Sequence, residues 1–468
     1  MKELISKNKI NIIILISFLI LGGILSLIQQ QSCAWDLLRY HFYNAWAFLN
    51  NRLEVDLMPC GIQSYLNPII TLPYYFLVKC LNDFPRLVAF IQGTQWGITT
   101  FIVYLIAREI IVIKNNAVQA ILCAIAALLG STVSLVYNEI GQGTVNILVN
   151  IPVLISIYFL IKNIYCRKFV LISGILLGSA FAFKLINAIY CISAFLVLFI
   201  FYVVDKKNTF KEKFCNLIIF CSSAALMFLL LNGFWMYRLY VNFQNPVFPL
   251  FNGIFKSDLY SAIDYRDNKF FCGSLIHYLF AFVTDTFAHC VTDEQWSSRL
   301  GYNMASVPYF DLKILFAYIG FVLLSVRSLF FKKLKTDFVN IEKLNIFLVL
   351  CFLSYSVWVI KFSYMRYFFP IIMCFGIFIL IPFILPAERT NKYKLITVIF
   401  ILLTFISYFT AFVSSDGRVE YRIRVLKIPD LKLKDNSAVV LAGKPLSSYI
   451  AIRQNPNVRY IGFDVPAD

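Results

Sequence analysis

Charge is what this sequence has least of. Charged residues fill 14% of its 468 positions, against about 25% in an ordinary soluble domain, while 60% are hydrophobic. A soluble chain of this length could not solvate such a surface, which excludes that class. Acids are the scarcer sign, with 25 Asp and Glu against 42 Lys and Arg. Histidine occurs only 3 times, and no Cys-x-x-Cys or His/Cys spacing suggests a zinc site. No long internal repeat of the kind inverted-repeat transporters show is present.

What is present is a series of apolar runs near the roughly 20 residues that span a bilayer. They cover Ile10 to Leu27, Leu87 to Ala107, Ala117 to Ser134, Val145 to Ile161, Phe169 to Phe183 and Leu185 to Val204. Further runs cover Phe214 to Gly233, Leu312 to Leu324, Leu344 to Ile360, Phe368 to Leu385 and Leu395 to Val413. The expected fold class is an all-α polytopic membrane protein with about eleven transmembrane helices, by that spanning length. The first run has the basic start and apolar core of a signal peptide. No small-residue cleavage site follows Leu27, so it reads as a retained span.

The net charge of +17 does not point to nucleic acid, because the basic residues alternate with the spans. They crowd at Lys2, Lys7 and Lys9, at Arg108 and Lys114, and at Lys162, Arg167 and Lys168. The same holds at Lys206 to Lys213, Lys332 to Lys335 and Arg389 to Lys394. This is the positive-inside pattern, and it places those loops and the N-terminus in the cytoplasm of an inner (plasma) membrane protein. The pattern requires that Tyr65 to Leu81 does not span, and Pro68, Pro73 and Lys79 agree. Of the 12 cysteines, Cys33, Cys60, Cys272 and Cys290 fall outside the membrane on the far side. There Cys33–Cys60 or Cys272–Cys290 bridges are permitted.

Three polar regions exceed simple connectors: Gln30 to Arg86, Phe234 to Asp311 and the tail from Ser414 to Asp468, all external on this topology. The first is expected to hold two short interfacial helices, Asp36 to Asn50 and Ser64 to Leu81. The tail, with a strand-like Ser437 to Ala442, is expected to be a small external appendage at 414–468 on a module of 1–413.

The informative residues are charges that break the topology's rules. Lys184 lies between two spans with almost no loop, Lys361 and Arg366 lie in one short connector, and Glu139 is the only charge in its own. Ionisable groups at membrane depth face a cavity or a partner; the plainer alternative is snorkelling to the interface. Arg238 and Arg299 join them as cations on the external side, where Arg and Lys suit a phosphate whose lipid tail stays in the bilayer. Asp36 follows the first span in Trp35-Asp36-Leu37-Leu38-Arg39-Tyr40-His41. It reads either as a general base for a hydroxyl or as a helix cap. Arg39 and Tyr40, three and four residues on, would share its helical face.

Together these features resemble the type C glycosyltransferases, polytopic enzymes that take a sugar from a polyprenyl-phosphate carrier. The resemblance rests on Asp36 to Asn44, Asn50-Asn51-Arg52, Lys184 to Ala188, Asn245 to Asn252 and Arg366 to Pro370. It implies catalytic Asp36, with Glu139 in place of the second acid that members often carry. It also implies a phosphate pocket from Lys184, Arg238, Arg299 and Arg366, with Arg39, Tyr40, His41, Trp296 and Tyr367 at the substrate and Tyr240 and Tyr302 as further stacking faces. A divalent cation, Mg or Mn, bridging Asp36 and Glu139 is one implication; a site neutralised by Lys184 and Arg366 alone is the other. The partners implied are a polyprenyl-phosphate sugar, a glycan, lipid or protein acceptor, and membrane lipids, with no nucleic acid. The rivals are a lipid-linked polysaccharide polymerase or ligase and a lipid-linked-sugar flippase.

Overall fold

The computed structural model describes residues 2–263, 278–283, 309–330, 338–384, 406–407, 411–413, 417–443 and 447–463. Its helices in chain order are α1 (Lys2–Ile28), α2 (Phe42–Leu49), α3 (Leu72–Leu81), α4 (Pro85–Ile110), α5 (Asn116–Ser131), α6 (Ser134–Asn138), α7 (Asn146–Lys162) and α8 (Arg167–Phe183). They continue with α9 (Ala188–Val204), α10 (Phe210–Phe243), α11 (Asn252–Phe255), α12 (Leu312–Phe330), α13 (Ile341–Lys361), α14 (Phe369–Ile372) and α15 (Phe375–Ile384). Local chemistry marks their starts. Asn115 accepts from the Ala117 and Val118 amides to open α5, Thr209 and Glu212 form a capping box on α10, and Pro85 occupies the first turn of α4, where its missing N–H costs nothing.

Among the described residues, five stretches are long and apolar enough to cross a membrane: Asn8–Ile28, Leu185–Val204, Phe210–Phe243, Ile341–Lys361 and Met365–Ile384. Helices α4, α5, α7, α8 and α12 lie among them, and one buried apolar cluster runs through the bundle. Ten of the runs expected to span thus fall on helices or short helical stretches, while most of Leu395 to Val413 lies outside the described residues. Helix α3 has 10 residues, fewer than the roughly 20 of a spanning helix. Helix α10 has 34 residues, about 51 Å at 1.5 Å per residue. It outreaches a hydrocarbon core of about 30 Å and carries Trp235 and Arg238 near its end.

The first loop holds two helical segments. The first begins as a π-helical turn, Leu37–His41, that runs into α2. The second is a pair of tight turns, Gln63–Tyr65 and Ile69–Thr71, followed by α3. Cys60 carries a free thiol, so the permitted Cys33–Cys60 bridge is not formed; Cys272 and Cys290 lie outside the described residues.

The tail folds onto this loop. Strand β1 (Gln31–Ser32) pairs antiparallel with β5 (Arg418–Val419), and β3 (Tyr309–Phe310) with β4 (Phe412–Val413). Strands β6 (Ala438–Ala442) and β7 (Arg459–Phe463) pair in parallel across a tight helical turn, Ser448–Arg453. Strand β2 (Pro59–Ile62) lies against β7 through a Leu57–Ile461 bridge. Trp46, Cys60 and Val78 of the first loop share an apolar cluster with Leu441, Ala451 and Tyr460 of the tail. The expected strand at Ser437 to Ala442 is therefore present, in a tail that shares a core with the loop beneath it.

Candidate active site

The turn after α1 decides where Asp36 points. It closes with the Phe42 amide on the Leu37 carbonyl, a wide i→i+5 turn of the kind often found at functional sites. Asp36 sits at its start and makes no capping hydrogen bond. Its Oδ2 instead accepts from Arg366 Nη1 at 2.6 Å, across 330 residues. The Tyr40 hydroxyl also hydrogen-bonds the Asp36 carboxylate, and His41 packs on Tyr40 with ring centroids 4.2 Å apart. Arg39 turns away: its Nε donates to the Cys60 carbonyl at 3.2 Å, and its guanidinium lies 4.4 Å from the Trp35 ring centroid. The wide turn therefore separates Arg39 from Tyr40, which an ordinary α-helix would have kept on one face.

Arg366 comes from the tight turn Met365–Phe368 that follows α13. Its guanidinium also stands 5.0 Å from the Tyr364 ring centroid, and Tyr364 meets Tyr367 edge to face at 4.9 Å. Tyr367 in turn lies under Lys184, whose Nζ is 5.2 Å from the ring centroid. Lys184 ends α8 and donates to Asn146 Oδ1 at 2.8 Å. Asn146 Nδ2 donates to Glu139 Oε2 at 3.1 Å, and Thr144 Oγ1 donates to the same oxygen at 2.7 Å. Asp36, Arg366, Tyr367, Lys184, Asn146 and Glu139 thus form one contiguous polar chain. The Lys184 ammonium is held within this polar chain by Asn146, whereas Lys361 is exposed.

The electrostatics follow from burial and pairing. Burial disfavours the Asp36 carboxylate, but Arg366 above all, with Lys184, outweighs it and holds the group below its ordinary range. Burial, aided by Arg366, pulls Lys184 down to about 8 against the attraction of Asp36 and Glu139. Burial, with Lys184 and Arg366 adding, drives His41 to about 3 against the pull of Asp36, so the imidazole is neutral. Two buried nitrogens here, His41 Nδ1 and Arg366 Nε, have no hydrogen-bond partner among the described residues.

The remaining expected residues divide. Arg238 lines a separate recess with Tyr43, Asn44, Asp56, Tyr65 and Trp235, 6.0 Å from the Trp235 ring centroid. Tyr240 is half-exposed on the same helix. Arg299, Trp296 and Tyr302 lie outside the described residues. Among the described residues no three His, Cys, Asp or Glu side chains group as metal ligands. One oxygen of Asp36 is already met by Arg366, a donor set better suited to an anion than to Mg or Mn.

Sequence reasoning missed Asn146, the link between Lys184 and Glu139, because a neutral Asn at the head of a span breaks no topology rule. Gly141, also missed, sits at φ +72°, and a Cβ there would fall 1.7 Å from Ser26 Oγ. The Glu139 turn can close on α1 only with glycine at that position.

No protein-family model and no curated protein matches the chain. Among solved structures it is similar to ArnT from Cupriavidus metallidurans, solved bound to undecaprenyl phosphate. The TM-score is 0.51 at 13% sequence identity, over 84% of this chain. The chain spans 63% of the length of that protein. Over that length this chain is folded like ArnT, a mostly helical fold as the sequence led one to expect.

Proposed function

We propose that the protein is a membrane glycosyltransferase that moves a sugar from a polyprenyl-phosphate carrier to an acceptor hydroxyl on the external face. The observation that carries the reading is the Asp36–Arg366 pair, 2.6 Å apart, with Lys184 beside it, in a bundle folded like ArnT. A carboxylate for the acceptor and two cations for a phosphate lie within one polar chain.

The step is a single displacement. Asp36 takes the proton of the acceptor hydroxyl as its oxygen bonds to the anomeric carbon, and the bond from that carbon to the phosphate oxygen breaks. The phosphate leaves with the electron pair, and Lys184 and Arg366 balance its charge. Free Asp36 is a weak base because Arg366 holds it ionised. A donor phosphate that draws on the same guanidinium loosens that hold and raises the basicity of Asp36 toward what proton abstraction needs. The chain's own cations can carry the leaving charge without metal. Neutral His41, with Nδ1 unpartnered among the described residues, and Tyr40 and Tyr367 suit substrate hydroxyls and ring faces. Glu139 orients Lys184 through Asn146.

Transfer from radiolabelled polyprenyl-phosphate sugars, in membranes carrying wild type or Asp36→Asn, tests the reading. Label moved by wild type and not by the variant is the expected result. Equal transfer by both would remove Asp36 from the chemistry, and no transfer from any carrier-linked sugar would return the chain to the flippase or polymerase readings.

A further inference from the structure

We infer that Arg418, from the tail, is a positioning residue that fixes the Glu139 turn against the end of α1 and so sets Glu139 relative to Asp36. This rests on the glycosyltransferase reading for its catalytic consequence, and on hydrogen-bond geometry for its placement.

Arg418 Nη2 lies 2.8 Å from the Asn138 carbonyl and 2.6 Å from the Ile140 carbonyl, the two that flank Glu139. The same nitrogen lies 3.1 Å from Gln29 Oε1, and Nη1 lies 3.4 Å from the Gln30 carbonyl. One guanidinium therefore bridges the carbonyls at and just past the end of α6 to the Gln29 side chain and the Gln30 carbonyl just past the end of α1. Its charge also attracts the Glu139 carboxylate. A planar fork can bridge two backbones in this way; an ammonium on a flexible stem cannot hold the same set in one geometry.

The surrounding chain is shaped to bring Arg418 there. Arg418 pairs with Ser32 in the β1–β5 ladder, and Ser32 Oγ accepts from the Gly143 amide at 3.3 Å, on the far side of the same turn. The Gly417 carbonyl accepts from the Cys33 amide at 2.7 Å, three residues before Asp36. Gly417 is at φ +77°, and a Cβ there would lie 2.9 Å from Ala34 Cα, so this approach too requires glycine. Beyond it, Gln31 Oε1 accepts from the Arg422 amide at 2.9 Å, and the Asn82 carbonyl accepts from the Val425 amide at 2.8 Å. The tail segment 417–425 is thus a strap across the end of α1, with Arg418 as its one contact to both carbonyls beside Glu139.

The test uses full-length protein in lipid discs with Arg418→Gln, Arg418→Lys, and each combined with Glu139→Gln. Arg418→Gln is expected to lower kcat about 10- to 100-fold, the usual cost of removing an outer-shell partner, with the donor KM within about threefold. Arg418→Lys is expected to recover part of that loss. In the Glu139→Gln background, Arg418→Gln should cost less than about twofold, since a residue acting through Glu139 has nothing left to position. Amide exchange across 138–143 should accelerate in Arg418→Gln. A loss of full size persisting in the Glu139→Gln background, or exchange there unchanged, would overturn the inference. Faster exchange with a wild type that transfers nothing would establish the brace and sink the glycosyltransferase reading. Should Arg418→Gln not accumulate, Arg418→Lys carries the same cycle.

Discussion

Of the arginine–aspartate pairs that involve the first loop among the described residues, the two least exposed, Arg52–Asp56 and Asp36–Arg366, differ in what is left unsatisfied. In the Arg52–Asp56 pair every group is used. Asp56 accepts from Arg52 Nε at 2.9 Å, from the Tyr43 hydroxyl at 2.6 Å and from the Tyr460 amide at 2.9 Å. The rest of the Arg52 fork reaches the Pro456 and Val458 carbonyls of the tail, and both side chains are almost fully buried. The Asp36–Arg366 pair has a single bond between its members, and among the described residues Arg366 Nε and the neighbouring His41 Nδ1 have no hydrogen-bond partner. Buried polar groups are normally satisfied. The first pair therefore reads as a weld between loop and tail, and the second as a place prepared for a further anion and further hydroxyls.

The sharpest way to break this comparison is to neutralise each acid in turn. Asp36→Asn should lower transfer by about 10²- to 10⁴-fold, the range of a general base, with little change in melting temperature. Its partner Arg366 is 23% exposed and is not stranded. Asp56→Asn should do the reverse. Removing one partner of a buried pair costs about 3–5 kcal/mol, so thermal unfolding in detergent should fall sharply while kcat per folded molecule stays near wild type. If Asp56→Asn leaves stability intact but silences transfer, the division between weld and site is wrong.

A smaller effect tests the fork. Arg366→Lys keeps the charge but loses planar, two-handed contact with phosphate. A charge-assisted hydrogen bond is worth about 1.5–3 kcal/mol, so kcat/KM for the donor should drop about 10- to 100-fold, less than for Asp36→Asn. A drop as large as that of Asp36→Asn would mean that Arg366 does more than bind phosphate.

Much of this was legible in the sequence, and the reason is specific. Lys184 and Arg366 stand out because short external connectors should be nearly free of basic residues, Glu139 because it is the only charge in its connector, and the structure joins all three to Asp36. Helix α3 and the strand at Ala438–Ala442 carry local signals in proline placement and β-branched residues, so they too were readable. The Arg52–Asp56 weld was not, because its other half lies at Pro456 and Val458, 404 and 406 residues away, and nothing local marks Arg52 as buried. The direction of Arg39 was hidden for another reason. Spacing arguments assume an α-helix, and a π-helical turn rotates the third residue off the face of the first. Nothing in the sequence singles out Arg418, since a carbonyl acceptor leaves no trace in residue identity.

The smallest predicted effect concerns pH and separates Lys184 from its neighbours. Below about 8 the ammonium of Lys184 is protonated and available to the donor phosphate; above it that charge is lost. The kcat/KM for the donor, which reports free-enzyme ionisations, should therefore hold level up to about pH 8 and then fall by up to tenfold per unit. Its neighbours do not titrate there: His41 is already neutral, with a value of about 3, and the Tyr40 hydroxyl lies well above its ordinary range because burial and Asp36 oppose its anion. A phosphodiester donor carries its single charge throughout. Lys184→Arg should push the break beyond the measurable range, and Lys184→Met should give a flat profile at a reduced level. A wild-type profile that stays level through pH 9.5 would take Lys184 out of the phosphate pocket and leave it as a strut that holds Asn146 and Glu139.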